Sequence, residues 1–195
     1  MKKVILSALL VPALFFGSEW LAKTQTKPEN TRPEQDKSRP KTIALKSGEP
    51  AALAYDLGAV RFLVTSEDTG GAWSLVELTE MPGQKTTWHR HNHTDQAYYV
   101  LEGVFTAKVE DKVYELPAGS YIFIPRGTPH GQGNFGTVPV KVLLTNTPGG
   151  FERYFRDRAE LFKTMKPDHP DFKKRLKELR GKVDAEELGV WDGQK

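Results

Sequence analysis

The chain has 195 residues, no cysteine, and 28 basic against 25 acidic side chains, for a formal net charge of +3. That length suits one well-packed domain with extensions and is short for two, and the lack of cysteine excludes disulfides and lipid-modified cysteine. No helix-turn-helix, RNA-binding or Gly-rich phosphate-loop pattern accompanies the small positive charge, so nucleic acid is not expected as a partner.

The chain opens with Lys2 and Lys3 ahead of an apolar run from Val4 to Phe16, the layout of a secretory signal. The run is shorter than the roughly 20 apolar residues that a membrane span needs. Residues 1–22 are therefore read as a signal peptide or an uncleaved N-terminal anchor. The mature protein is expected to be exported, periplasmic or extracellular, with membrane association if the segment is retained. Residues 23–41 carry Pro28, Pro33 and Pro40 among alternating charges and almost nothing apolar. Such a segment cannot bury enough surface to fold and reads as a disordered linker.

From residue 42 to about 150 the pattern is that of short strands. Runs such as "VRFLVTS" from Val60, "WSLVELTEM" from Trp73, "AYYVLE" from Ala97, "VFTAKVE" from Val104, "SYIFIP" from Ser120 and "VPVKVLLTN" from Val138 are rich in β-branched and aromatic residues. Turn formers separate them, among them Pro82-Gly83, Pro117-Ala118-Gly119 and Gly127-Thr128-Pro129. Many short strands at regular spacing predict a mainly β fold, an antiparallel sandwich or small antiparallel β-barrel. Residues 151–195 change character. Phe151, Tyr154, Phe155, Leu161, Phe162 and Met165 fall at helical spacing, and Phe172, Leu176, Leu179 and Val183 form a second such pattern. A helical C-terminal extension is predicted, its second helix capped by Asp171.

The stretch "HRHNHTDQAYYVLEG" starting at His89 holds the densest chemistry in the chain. Residues two apart in a strand project to one side, so His89 and His91 offer two imidazoles to one point while Arg90 faces away. After a short turn through Asn92, His93 and Thr94, Gln96 opens the next strand and can return toward that point. Asp95 should point away from it, and Tyr98 and Val100 share the parity of Gln96. His130, set after a strand and the turn "RGTP", is the evident third imidazole, whereas His169 lies in the helical tail. An H-x-H pair with a third histidine after a rigid turn predicts a divalent metal site; the competing reading is a hydrogen-bonded polar core.

These residues resemble the two motifs of the cupin superfamily. Gly83, His89, His91 and Gly103 stand at positions of the first motif, with Gln96 where that motif usually carries glutamate. Gly119, Pro125, Gly127, His130 and Asn134 match the second without departure. The stretches "DTGGAWSLVE" and "TPGGFERYF" are further similar to bacterial cupins of the quercetin-dioxygenase-like kind. The resemblance implies a small cupin or jelly-roll barrel over 42–150, a metal in its interior, and a homodimer.

Gln96 changes what the site can do. A glutamate would add a negative charge and could accept a proton from substrate; a carboxamide does neither. With three neutral imidazoles and a neutral amide, a divalent ion keeps its full charge, and the pocket should favour an anionic or readily ionised small molecule. Gln96 is open to three readings: a weak fourth ligand, a donor to metal-bound water or substrate, or a remnant of a lost activity. Tyr98 is either a hydrogen-bond donor to substrate or barrel filling. His93 is expected at the rim, Trp88 and Phe123 in packing, and Arg126 in the turn presenting His130. The expected metal is one divalent ion of iron, copper, manganese, nickel or zinc. The expected function is a dioxygenase-like oxidoreductase acting on a small enolic or aromatic oxygen-chelating substrate. A non-catalytic small-molecule-binding cupin and a metal-dependent isomerase or hydrolase are the alternatives.

Overall fold

The structure, a computed structural model, describes residues 40–191 and 193. The expected signal or anchor and nearly all of the linker lie outside the described residues. The strands, in chain order, are β1 (Leu53–Tyr55), β2 (Gly58–Val64), β3 (Ser74–Glu80), β4 (Trp88–Arg90), β5 (Asp95–Glu102), β6 (Val104–Val109), β7 (Lys112–Pro117), β8 (Tyr121–Ile124), β9 (His130–Gly133) and β10 (Val140–Thr147). Two helices follow, α1 (Glu152–Thr164) and α2 (Phe172–Arg180), and then a further strand, β11 (Glu186–Gly189).

The strands form two antiparallel sheets, one ordered β1-β2-β3-β10-β5-β8 and the other β11-β4-β9-β6-β7. Alternation decides which side chains meet between them. On β3 Ser74, Val76, Leu78 and Glu80 are buried while their neighbours are half-exposed, and on β10 Val140, Val142, Leu144 and Asn146 are buried. The facing sheet contributes Phe105 and Ala107, and the Tyr98 ring stacks on Phe105 with centroids 5.0 Å apart. Each large apolar side chain so buried stabilises the fold by roughly 1.5–3 kcal/mol. The predicted barrel is thus a jelly-roll of two facing sheets. Among the described residues no backbone ladder joins one sheet to the other; side-chain packing does.

The register places like with like across the first sheet. Asn146 on β10 pairs with Gln96 on β5 and with Ser74 on β3. Leu144 pairs with Val76 and Tyr98, and Val142 with Leu78 and Val100. Glu80 faces Val140 at the far end. The interior of this sheet is therefore polar at both ends and apolar between them.

Gly103, in the turn between β5 and β6, has φ +76°, and a Cβ there would lie 2.8 Å from the carbonyl oxygen of Pro139. Only glycine accepts that conformation and that approach. The motif residue Asn134 ties a neighbouring loop down, donating from Nδ2 to the backbone carbonyls of Glu80 and Val138.

The C-terminal extension is not purely helical. β11 pairs with β4, Glu186 opposite Arg90 and Glu187 opposite His89. Its sequence, "EELG", has neither β-branched residues nor alternation, so pairing with a strand distant in the chain creates it, not local propensity. Asp171 sits at the start of α2 but makes no side-chain capping bond; its backbone N–H donates to Nδ1 of His169 at 3.2 Å. α1 begins on Glu152, whose buried carboxylate accepts from the backbone N–H groups of Ser66 (2.8 Å) and Gly150 (2.7 Å). That anchor seats Tyr154, Phe155 and Ala159 in the same core as the sheets.

Candidate metal centre

Two of the three predicted imidazoles arrive on adjacent strands and the third just past one of them. His89 on β4 pairs directly with His130, the first residue of β9, and their ring centroids lie 4.3 Å apart. His91 follows the end of β4 and stands 5.0 Å from His89 and 5.5 Å from His130 by ring centroid. One ring nitrogen from each of the three lies within 4.8 Å of the others. All three residues are buried.

Hydrogen bonds fix which nitrogen faces inward. Nδ1 of His89 bonds the carbonyl of Thr87 at 2.8 Å, Nδ1 of His130 bonds that of Thr128 at 2.9 Å, and Nδ1 of His91 bonds that of Asp184. A carbonyl oxygen only accepts, so each Nδ1 carries the hydrogen and each Nε2 presents a lone pair. Burial depresses the basicity of all three rings. His89 is held well below the usual histidine range by desolvation and then by His130 and His91, His91 is lowered by desolvation, and His130 is pushed down to about 4 by the same cause. Near neutral pH the cluster is uncharged and its lone pairs are free.

Gln96 does face this cluster. Its carboxamide is buried, donates from Nε2 to Oδ1 of Asn146 at 3.0 Å, and accepts at Oε1 from the Tyr98 hydroxyl at 3.1 Å. The same Oε1 lies 3.2 Å from Nε2 of His130. The Tyr98 hydroxyl in turn accepts from Nε2 of Gln132 at 3.0 Å, so it is committed to holding the carboxamide. Burial keeps this phenol protonated, its pKa raised well above 10.

A metal ion fits this donor set on two observations. Nε2 of His91 is buried and has no hydrogen-bond partner. The lone pair on Nε2 of His130 also faces the lone pairs of Gln96 Oε1, a contact between two acceptors that a cation between them would turn from repulsive to attractive.

The other predicted residues divide as their parity requires. Asp95 points outward and pairs with Arg126 at 2.7 Å. Arg90 turns away from the cluster and pairs with Glu186. The His93 side chain is 83% exposed at the rim, 3.2 Å from Asp184. Trp88 carries Lys108 over its ring. Phe123 departs from expectation: it is exposed on the outer face of β8 and not in the packed interior.

Sequence reading missed Asp184, which clamps the histidine loop. Its carbonyl takes the His91 hydrogen bond and its carboxylate accepts from the backbone N–H groups of Asn92 (3.0 Å) and His93 (2.7 Å). Nothing in "KVDAEEL" marks it. It also missed Glu80, although that residue has the inward parity of Val76 and Leu78. The cluster opens into a small cavity of about 80 Å³, partly open to solvent, whose lining includes Tyr55, Glu80, Phe151, Tyr154 and Arg158. Phe151 stands edge-on to His91 with centroids 4.6 Å apart, so the C-terminal extension supplies part of the aromatic wall.

Comparison with known proteins agrees with the motifs. Residues 76–146 match the cupin domain family, and this stretch is a cupin domain. The chain is 37% identical over 75 residues to an uncharacterized protein of Methanocaldococcus jannaschii, a match covering 38% of this chain and 60% of that protein. It is 28% identical over 116 residues to the tetracenomycin polyketide synthase protein TcmJ of Streptomyces glaucescens, covering 59% of this chain and 76% of that one. It is 26% identical over 112 residues to the quercetin 2,3-dioxygenase of Bacillus subtilis, covering 57% of this chain but only 33% of the enzyme. Thus less than two thirds of the archaeal relative and of the dioxygenase is matched. KdgF from Halomonas sp. shares the fold with a TM-score of 0.51 at 18% identity, covering 58% of this chain and 98% of that one.

Proposed function

We propose that this cupin-domain protein is a metal-dependent oxidoreductase of the dioxygenase kind, acting on a small enolic or aromatic substrate that chelates the ion through adjacent oxygens. The observation that carries this reading is the convergence of three neutral imidazoles, each oriented by a backbone carbonyl, beside an uncharged carboxamide in an aromatic-walled cavity. Similarity to a quercetin 2,3-dioxygenase favours oxygenation among the chemistries that the fold supports.

His89, His91 and His130 would hold the ion, with Gln96 Oε1 beside them as a fourth donor. Iron, copper, manganese, nickel or zinc bound there would supply Lewis acidity and, for a redox-active element, a path for electrons to dioxygen. The protein's own groups do the rest. Four neutral donors leave the positive charge of the site for an ionised enol or phenol oxygen. Tyr98 holds the Gln96 carboxamide in place. Phe151 and Tyr154 offer flat apolar surface to a ring and restrict water near the histidines.

A second reading is a Lewis-acid isomerisation or hydrolysis without dioxygen, which asks of the bound ion only that it polarise a carbonyl. Metal analysis of the native protein followed by oxygen-uptake assays with flavonols and small diketones separates the two. About one ion per chain and oxygen consumption support the first; metal at that ratio with product formed and no oxygen consumed supports the second. A protein that retains no ion overturns both.

Two further assignments belong to the same proposal. The basic, apolar N-terminal sequence supports export; the described residues contain no helix long and apolar enough to cross a membrane. Tyr99, Tyr121 and Phe123 are exposed on adjoining strands at the β8 edge of the larger sheet, an apolar surface suited to a homodimer.

A further inference from the structure

The three imidazoles are not oriented alike. Nδ1 of His89 and Nδ1 of His130 each bond a carbonyl two residues back in their own segment, those of Thr87 and Thr128. Nδ1 of His91 instead bonds the carbonyl of Asp184, 93 residues later in the chain. Two ring orientations are therefore set locally, and the third exists only when the C-terminal segment is in place. His91 is also the ring whose Nε2 is buried with no hydrogen-bond partner.

Residues 183–191 lie on the site as a strap. Val183, Ala185 and Glu187 line the cavity, and three attachments hold the strap down. At its start the Asp184 carboxylate accepts from the backbone N–H groups of Asn92 and His93, so this residue grips the loop after His91 as well as the ring itself. In its middle Glu186 accepts from Arg90 Nε at 2.9 Å, from Arg90 Nη2 at 3.1 Å and from Asn92 Nδ2 at 3.0 Å. At its end the buried Trp191 packs on Gly131, the residue after His130; a Cβ on that glycine would lie 2.7 Å from the indole ring. Yet β11 is the outermost strand of its sheet, with β4 as its one neighbour there, and all four of its residues are exposed. Exposed ion pairs and little buried apolar surface make local opening of such a segment easy.

We infer that Asp184 is a positioning residue that couples the docking of this strap to the metal centre. The docked strap fixes the hydrogen of His91 on Nδ1 and leaves its Nε2 lone pair to the ion. Release of the strap frees the His91 ring to rotate and to carry its hydrogen on either nitrogen. An ion bound by all three rings therefore favours the docked strap, and the docked strap tightens ion binding by the same factor, because coupling between two equilibria is reciprocal. The inference rests on the proposed ion at His89, His91 and His130, and the test separates the two.

The test uses the full chain with zinc as the probe. Hydrogen exchange read by mass spectrometry should show zinc slowing the amides of β11 roughly tenfold, with β1, an edge strand of the other sheet, unchanged. Trp191→Ala and Asp184→Ala, which loosen the strap at either end, should each weaken zinc binding roughly tenfold in competition with a chelator. In the same variants without metal, nitrogen-15 spectra of the imidazoles should show the His91 ring turning to a mixture of tautomers while His89 and His130 keep the hydrogen on Nδ1. Glu186→Ala, at an exposed position, repeats the measurement should Trp191→Ala fail to fold. Zinc affinity unchanged in every folded variant, or tautomers that stay fixed in all three rings, would make the strap merely structural and overturn the inference while leaving the metal centre standing. Zinc that binds without slowing β11 would overturn it as well. An unmodified chain that binds no zinc would overturn the metal centre, and the coupling with it.

Discussion

Oε1 of Gln96 lies 3.2 Å from Nε2 of His130, and with His130 Nδ1 committed to the Thr128 carbonyl the two atoms meet lone pair to lone pair. A folded protein does not hold two buried acceptors together without compensation. Tyr98 and Asn146 supply part of it by fixing the carboxamide, and a cation between the two atoms would supply the remainder.

Removing one imidazole should therefore strip the ion without unfolding the chain. We expect His130→Ala to weaken metal binding by more than the roughly 10–100-fold that loss of a mere orienting partner costs. Circular dichroism should stay β-rich. Metal retained at one ion per chain after dialysis would refute the assignment of His130.

Gln96→Glu tests the carboxamide. The larger structure accommodates the change, because Tyr98 can still donate to an oxygen there and Asn146 carries a buried Nδ2 without a partner. The added charge should tighten binding of a divalent ion by roughly tenfold, with part of the Coulomb gain lost to desolvation of the carboxylate. Affinity for an anionic substrate should move the opposite way. No change in either, measured by competition with a chelator and by titration, would mean that Gln96 takes no part in the site. Activity that rises would mark the glutamine as a remnant of a base-assisted centre; activity that falls would support the three-histidine centre.

Glu80 and the histidines should impose opposite pH dependences on the stability of the metal-free protein. Burial raises the Glu80 pKa from 4.5 to about 7 against the lowering effect of Arg158. Its contribution is therefore fully present below about pH 4.5 and is lost as pH rises to about 7, a change on the order of 3 kcal/mol. His130, lowered from 6.5 to about 4, acts in reverse: its contribution is present above pH 6.5 and lost as pH falls toward 4. His89 and His91 share that sign. Urea denaturation should thus show stability rising with pH for the unmodified chain, because three histidines outweigh one carboxyl, and rising more steeply for Glu80→Gln. Parallel slopes for the two proteins would show that Glu80 is ionised in the native state.

The exposed aromatic face predicts association. Tyr121 is 60% and Phe123 52% exposed, and Tyr99 sits directly across from Tyr121. Replacing Tyr121 and Phe123 together by lysine should convert a dimer to a monomer in sedimentation velocity, with the melting temperature of the monomer little altered because neither ring is in the core. A sedimentation coefficient that does not change would place the dimer contact elsewhere or show that none exists.

Much of this was readable along the chain because its signals are local. Strand alternation put Gln96, Tyr98 and Val100 on one side and Asp95 on the other, and the H-x-H spacing with a third histidine after a Gly-Thr-Pro turn marked the cluster. Such signals need only the period of a strand and the chemistry of imidazole. What the sequence could not carry are relations between residues far apart in it. β11 exists because "EELG" lies against β4, Asp184 matters because its carbonyl meets His91 some ninety positions earlier in the chain, and the facing sheets are joined by packing and not by a closed ladder. Glu80 shows the division most sharply. Its inward parity is written in β3, but that it lines one cavity with Arg158 of α1 depends on how helix and sheet are packed, and burial, not residue type, sets its charge.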